Sequence, residues 1–84
     1  MATVTLTAEA DEQMAQLPVR VRERIAKMLK RLEAWPIVSG VKALSGNLAG
    51  HCRARVGDYR IRFRINGDII VVDKIGHRKD VYED

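Results

Sequence analysis

The chain has few of the residues on which disulfides, metal centres and membrane spans depend. Its 84 residues include one cysteine, so neither an internal disulfide nor a site of several thiolates can form. No apolar run approaches the roughly 18 residues of a membrane span. The N-terminus also lacks the basic, apolar, small-residue order of a signal peptide. We therefore expect a cytoplasmic protein with no membrane partner.

The patterns of conventional hydrolases are also missing. No His, Cys and Glu residues have metal-ligand spacing, and no glycine-rich loop precedes a helix as a phosphate cradle would. No order of Ser, His and Asp suggests a catalytic triad. We expect neither a metal nor a cofactor.

Length and charge limit the choice further. A chain of 84 residues makes one domain, residues 1–84, with one modest core and no room for a large active-site cavity. Fifteen basic residues stand against 11 acidic ones, a formal net charge of +4. This balance favours an anionic partner, provided that the basic residues cluster.

The basic residues do cluster, in residues 51–67. Apolar and basic residues alternate there in two runs with Gly57-Asp58 between them, which predicts a β-hairpin. A two-residue type II′ turn places Arg55 opposite Arg60. The apolar residues of the two runs are Cys52, Ala54, Val56, Tyr59, Ile61, Phe63 and Ile65.

The same register places Arg53 opposite Arg62. Like charges facing each other across a sheet are destabilising, so folding alone gives no reason for this pattern. A polyanion gives one, because the planar guanidinium fork grips phosphate with two hydrogen bonds. The alternative is a solvated face that only keeps the protein soluble.

The rest of the chain predicts two helices and further strands. We expect a short strand at Thr3–Leu6, a helix from Ala8 to about Gln16 capped by Thr7, and a second helix from about Pro18 to Ala34. Residues 37–50 are expected to form a loop, with Leu44 and Leu48 anchored to the core. The predicted fold is α+β in the order β-α-α-β-β-β, with a two-helix hairpin on one face of a small, mainly antiparallel sheet.

A second hairpin turn is predicted at Asn66-Gly67, followed by a strand from Asp68 to Ile75. Counting from this turn places Asp73 opposite Arg60, where it could neutralise the arginine. Ile69 and Val71 would give the basic side an apolar floor, and the strand should be central because it is apolar on both sides. On the core side the predicted pairs are Phe63 with Ile70 and Ile61 with Val72.

Three side chains suited to phosphoryl transfer follow this strand: His77, Arg78 and Tyr82. RNA can be cleaved without a metal if a base activates the 2′-hydroxyl, cations stabilise the charge on phosphorus and an acid protonates the leaving oxygen. Each residue also has a structural interpretation, because a lone histidine is often a surface residue and a terminal tyrosine often packs on a sheet edge. Lys42 could reach the arginines or remain in solvent.

Three segments of the sequence resemble the RelE/ParE toxin superfamily. They are Leu44-Ser45-Gly46-Asn47-Leu48-Ala49-Gly50, Arg53-Ala54-Arg55-Val56-Gly57-Asp58-Tyr59-Arg60-Ile61 and Ile75-Gly76-His77-Arg78-Lys79-Asp80-Val81-Tyr82. The resemblance covers essentially the whole chain. It implies an mRNA interferase that enters the ribosomal A site and cleaves the message.

The resemblance also implies roles for individual residues. Arg53 and Arg55 match the positions that hold and polarise RNA phosphate, while Arg60, Arg78 and Tyr82 match catalytic positions. We add Arg62, Lys42 and His77 to the expected RNA-binding residues. The sequence departs from the family pattern in having arginines where lysines may stand and a closer spacing of Arg78 and Tyr82.

Partners follow from the resemblance as well. It implies a cognate antitoxin that blocks the basic side, and the ribosome with its mRNA as target. Two alternatives remain open at this point: a ParE-type toxin that inhibits DNA gyrase by binding, and a non-catalytic member that binds nucleic acid.

Overall fold

The computed structural model describes residues 1–46 and 49–81. The chain begins with a strand, continues through two helices and ends in a run of strands, so the predicted α+β class is confirmed. The elements are β1 (Thr3–Leu6), α1 (Ala8–Ala15), α2 (Val19–Leu32), β2 (Val41–Ala43), β3 (His51–Val56), β4 (Tyr59–Asn66) and β5 (Ile69–His77).

The two helices begin where capping chemistry predicts. The Thr7 hydroxyl accepts a hydrogen bond from the Ala10 backbone N–H at 3.2 Å, which satisfies one of the unpaired donors at the start of α1. Pro18 immediately precedes α2. Its fixed φ suits the start of a helix, and it ends the preceding chain segment.

The helices bury one side each against the sheet. Ile25, Met28 and Leu32 of α2 are buried, at the helical spacing that the sequence predicts. Trp35 packs edge-on against Phe63 with ring centroids 5.9 Å apart, which confirms that it covers the core. Within the described ranges, no helix is long and apolar enough to cross a membrane.

The sheet has the strand order β1-β5-β4-β3-β2. β1 runs parallel to β5 and the other neighbours are antiparallel, so the sheet is mainly antiparallel and β5 is central, as predicted. The loop expected at residues 37–50 is only partly correct, because β2 lies within it and pairs Lys42 with Arg53. A three-residue edge strand is too short to leave an alternating pattern in the sequence. Leu44 is buried as expected, whereas Leu48 lies outside the described residues.

The β3–β4 register is confirmed and the β4–β5 register is wrong. Asn66 pairs with Ile69, so Gly67-Asp68 forms the second turn instead of Asn66-Gly67. A type I′ turn at Asn66-Gly67 would need a positive φ at Asn66, and no described non-glycine residue has one. Gly57 and Gly67 have φ values of 60° and 64°, as the first position of a type II′ turn requires.

A β-bulge then separates Asp73 from its predicted partner. Phe63 pairs with Val72 and Arg62 pairs with Lys74, which leaves Asp73 as the extra residue of β5. Gly76, not Asp73, lies opposite Arg60. The predicted core residues are nevertheless correct. Between the turn and the bulge, the observed β4–β5 register differs from the predicted one by two residues, and an even shift keeps each side chain on its predicted face. Ile61, Phe63, Ile70 and Val72 are fully buried.

Candidate functional site

The sheet face opposite the helices is strongly basic. On β3 and β4, residues such as Ala54 and Phe63 point into the core, so the residues between them point the other way. On β5, the bulge places Asp73 and Lys74 on this same face. We call this surface the basic face, and its charged members by register are Lys42, His51, Arg53, Arg55, Arg60, Arg62, Arg64, Asp73 and Lys74.

The predicted pairing of like charges is present on the basic face. Arg53 lies opposite Arg62, and Arg55 lies opposite Arg60. Arg53 and Arg60 are also buried, each only 7 % exposed. Burying a cation costs solvation free energy, so a face that only promotes solubility would keep these two guanidiniums in water. A solvated face therefore does not describe Arg53 and Arg60.

A carboxylate in the bulge organises one half of the face. Asp73 Oδ1 accepts a hydrogen bond from Arg62 Nε at 2.9 Å, and Asp73 Oδ2 lies 3.1 Å from His51 Nε2 and 3.5 Å from Arg64 Nη1. The Asp73 side chain is 14 % exposed. Since the bulge adds a residue to β5, it aims this carboxylate between two arginines and a histidine. Sequence reasoning missed this cluster because bulges leave no periodic signal.

The other half of the face is organised around the Gly57-Asp58 turn. The Arg60 guanidinium donates through Nη1 to the carbonyl oxygens of Gly57 and Tyr59, each at 3.0 Å. The Arg78 backbone N–H donates to the Asp58 carbonyl at 2.7 Å. Two of the predicted catalytic residues, Arg60 and Arg78, are thus attached to one turn although they are 18 positions apart (78 − 60).

His77 does not lie on the basic face. It pairs with Tyr59, its ring packs edge-on against the Tyr59 ring with centroids 5.5 Å apart, and its Nδ1 accepts from the Lys79 backbone N–H at 3.2 Å. Both rings line a groove of about 300 Å³ with Gln13 and Leu17 on the helix side of the sheet. The expectation that His77 joins the arginines is wrong in this respect, because the bulge reverses which β5 residues face the helices. Tyr82 lies outside the described residues.

The chain after β5 folds back across Gly76. A Cβ placed on Gly76 would lie 3.2 Å from Val81 Cγ2, and Val81 is only 2 % exposed. Val81 is buried outside the main core cluster, opposite the helices. Because Gly76 faces Arg60, this contact seats residues 78–81 beside the buried guanidinium. Sequence reasoning missed this contact, because it depends on how the chain returns after β5.

The remaining predicted residues divide between the face and the core. Lys42 is exposed and pairs with Arg53, which puts it at the edge of the basic face. Cys52 packs against the core, and burial raises the pKa of its thiol, so it is a poor nucleophile. In the described part of the chain, no group of three or more His, Cys, Asp and Glu side chains could hold a metal ion.

Comparison with known proteins identifies relatives with the same chain layout. A family model described as the ParE toxin of the type II toxin–antitoxin system parDE matches residues 4–82. The toxin RelG of Mycobacterium tuberculosis is 32 % identical over 83 residues, covering 95 % of this chain and 94 % of RelG.

Solved structures agree with these matches. A chain of the toxin–antitoxin complex RelBE2 from Mycobacterium tuberculosis superposes with a TM-score of 0.82 at 30 % identity, covering 92 % of this chain and 98 % of that one. A chain of the RelB–RelE complex from Methanococcus jannaschii gives a TM-score of 0.76 at 25 % identity, covering 92 % and 93 %. The two-helix, mixed-sheet architecture is therefore shared.

Proposed function

The chain belongs to the ParE toxin family of type II toxin–antitoxin systems, and on that premise we propose that it is an mRNA interferase, a metal-independent endoribonuclease. Its target is the message in the ribosomal A site, and it acts in the cytoplasm. The observation that carries the proposal is the burial of Arg53 and Arg60 within facing arginine pairs. Like charges opposite each other in a sheet are destabilising, and the planar guanidinium fork binds phosphate with two hydrogen bonds, which supports a phosphate ligand for this face.

The proposed mechanism distributes roles over the basic face. Arg53 and Arg55 hold the scissile phosphate, and Arg60 with Arg78 stabilises the charge on its oxygens while the 2′-oxygen attacks phosphorus and the P–O5′ bond breaks. The products are a 2′,3′-cyclic phosphate and a 5′-oxygen that takes a proton from water to become a 5′-hydroxyl. Tyr82 acts as the base or stacks on a nucleobase. Free tyrosine and arginine have pKa values far above neutrality, so proton transfer by these groups is inefficient unless the ribosome aligns the substrate. This requirement supports ribosome dependence.

A cognate antitoxin is the proposed protein partner. The structural relatives with 25–30 % identity are toxins in complex with their antitoxins. An antitoxin that covers the basic face would prevent RNA from reaching Arg53 and Arg60 and would supply counter-charges to the facing arginines. The partner should therefore present acidic side chains to this surface.

A second function is supported by the family match. Because the matching family is that of ParE toxins, inhibition of DNA gyrase by binding is the alternative. It requires no catalytic residue, so removal of a single arginine beside the turn would leave an intact binding surface largely functional. Cleavage with a strict dependence on Arg78 separates the two functions.

The first test is primer extension on mRNA bound to purified ribosomes with an empty A site. We compare the wild-type chain with Arg78→Ala and with the matched control Lys79→Ala, which removes the neighbouring exposed cation. We expect cleavage within the A-site codon, reduced at least about 100-fold by Arg78→Ala and little changed by Lys79→Ala. Message without ribosomes should stay intact.

Other outcomes would contradict the proposal. Intact mRNA in the presence of a wild-type chain that still arrests growth would exclude the interferase function, and a gyrase cleavage assay would then test the alternative. Equal losses in Arg78→Ala and Lys79→Ala would show that the effect of Arg78 is one of net charge alone.

A further inference from the structure

A second basic surface lies beside the basic face, between α2 and the end of β3. A groove of about 490 Å³ is present there, with four cationic side chains around it. Its floor is formed by Met28, Val56 and the Gly57 backbone. We call it the α2 groove, and its cations are Arg24, Lys27, Arg31 and Arg55.

The helical repeat places three of these cations in a row. Arg24, Lys27 and Arg31 are spaced by three and four residues, so they lie on one side of α2. All three are exposed. Every ion pair between described residues includes Asp73, so none of the three has a carboxylate partner among them. Clustered cations without counter-charges repel one another and attract an anionic ligand.

The groove and the basic face meet at the Gly57-Asp58 turn. Arg24 Nη2 lies 3.0 Å from the position that a Cβ on Gly57 would occupy, while Arg60 Nη1 donates to the Gly57 carbonyl on the other side. Two guanidiniums therefore lie beside one residue and within about 10 Å of each other. Arg55 belongs to both surfaces, because it lines the groove and lies opposite Arg60.

From this continuity we propose that the α2 groove binds the RNA phosphodiester backbone and extends the track that begins on the basic face. The proposal rests on the proposed function, because it concerns the same RNA strand. Arginine forks bind phosphate oxygens in pairs, and the floor of Met28 and Val56 offers apolar contact to ribose and base. A strand held on the basic face would pass the turn and continue between α2 and β3.

The chain offers a matched pair of variants on one helix. Arg24→Gln with Lys27→Gln removes two charges from the groove, whereas Arg22→Gln with Lys30→Gln removes two charges from other sides of α2. Glutamine keeps the helix propensity nearly unchanged. Circular dichroism and thermal unfolding of all three proteins check that both double variants fold.

The experiment measures affinity for 2′-O-methyl RNA, which cannot be cleaved through its 2′-oxygen, at two lengths and several salt concentrations. A four-nucleotide RNA can occupy the basic face alone, whereas a twelve-nucleotide RNA can reach the groove. We expect the groove variant to bind the long RNA about tenfold more weakly, with a salt slope reduced by about 1.4, and to bind the short RNA as the wild type does. The control variant should retain wild-type affinity for both.

Three outcomes would overturn the proposal. If the groove and control variants lost the same affinity for the long RNA, the loss would come from net charge and not from the groove. A groove variant with full affinity for the long RNA but reduced affinity for a poly-glutamate peptide would make the groove a protein-docking surface. If the wild-type chain bound neither RNA but still cleaved A-site message on ribosomes, the groove proposal would fail and the proposed function would stand. If the wild-type chain binds RNA and either of the first two outcomes is found, the groove proposal fails while the proposed function stands.

Discussion

The two hairpins that share β4 have the same Gly-Asp turn and handle charge in opposite ways. In the β4–β5 hairpin, a bulge places the Asp73 carboxylate among His51, Arg62 and Arg64. In the β3–β4 hairpin, arginine faces arginine and the described contacts of the Arg60 guanidinium are to backbone carbonyls. One half of the basic face thus contains a carboxylate among its cations, whereas the other places guanidiniums opposite one another.

This difference shows that a basic surface is not uniformly functional. Cations that contact a carboxylate contribute mainly to stability, whereas an exposed cation opposite a like charge, such as Arg55, gains more from an external anion. The proposed RNA-binding role therefore falls most heavily on the β3–β4 hairpin. Arg62 belongs to both sets, because it lies opposite Arg53 and donates to Asp73.

The largest stability effect is expected from Asp73→Asn. The substitution keeps the shape of the side chain and removes the charge that Arg62 and His51 contact, so we expect a loss of about 1–2 kcal/mol in the free energy of unfolding. Urea denaturation measures it. Asp68→Asn at the exposed second turn makes the same charge change and should stay within about 0.5 kcal/mol of the wild type. Equal effects of the two variants would show that Asp73 has no special role.

An intermediate effect is expected at the two turn glycines. Gly57→Ala and Gly67→Ala each place a Cβ at positive φ, which costs about 1 kcal/mol or more. At Gly67 no described atom beyond the two adjacent residues lies within 4 Å of the new Cβ, whereas at Gly57 the Arg24 Nη2 atom lies 3.0 Å from it. Thermal unfolding should show that Gly57→Ala is the more destabilising by a few tenths of a kcal/mol. The reverse order would contradict the packing of Arg24 on this turn.

The smallest effect, and the one of opposite sign, is expected from Arg55→Glu. A glutamate opposite Arg60 replaces repulsion with attraction, so we expect the free energy of unfolding to rise by about 0.5 kcal/mol. Affinity for RNA should fall at the same time, because two units of positive charge are lost from the phosphate track. Chemical denaturation and RNA titration measure the two effects. A destabilised variant would show that the facing arginines are not in conflict.

Local sequence signals predicted the fold well where one residue type decides the geometry. Thr7 predicted the start of α1, and Gly57-Asp58 predicted the β3–β4 register, because a type II′ turn needs glycine at its first position. The second turn was wrong because Asn66-Gly67 and Gly67-Asp68 both suit tight hairpins. The structure adopts the second, in which Gly67 alone has a positive φ.

The positions of the candidate site residues could be predicted only in part, because a local pattern does not determine how β5 pairs. Alternation placed Arg53, Arg55 and Arg60 on one face, since the period of a strand is fixed. It placed Asp73 on the correct face with the wrong arginine, and it placed His77 on the wrong face, because one inserted residue in β5 reverses the faces that follow it. The contact of Val81 with Gly76 depends on how the chain returns after β5, which no periodicity encodes.

The parallel pairing of β1 with β5 has a consequence for the order in which the chain can fold. Thr3 pairs with Ile69, so the first strand finds its hydrogen-bonding neighbour only after the rest of the domain has been synthesised. Before that, β3 and β4 form at most a hairpin with the short edge strand β2, and small sheets of this kind are only marginally stable. Contacts this distant in sequence also slow folding. The five-stranded sheet is therefore complete only when the last strand of the chain joins β1 to β4.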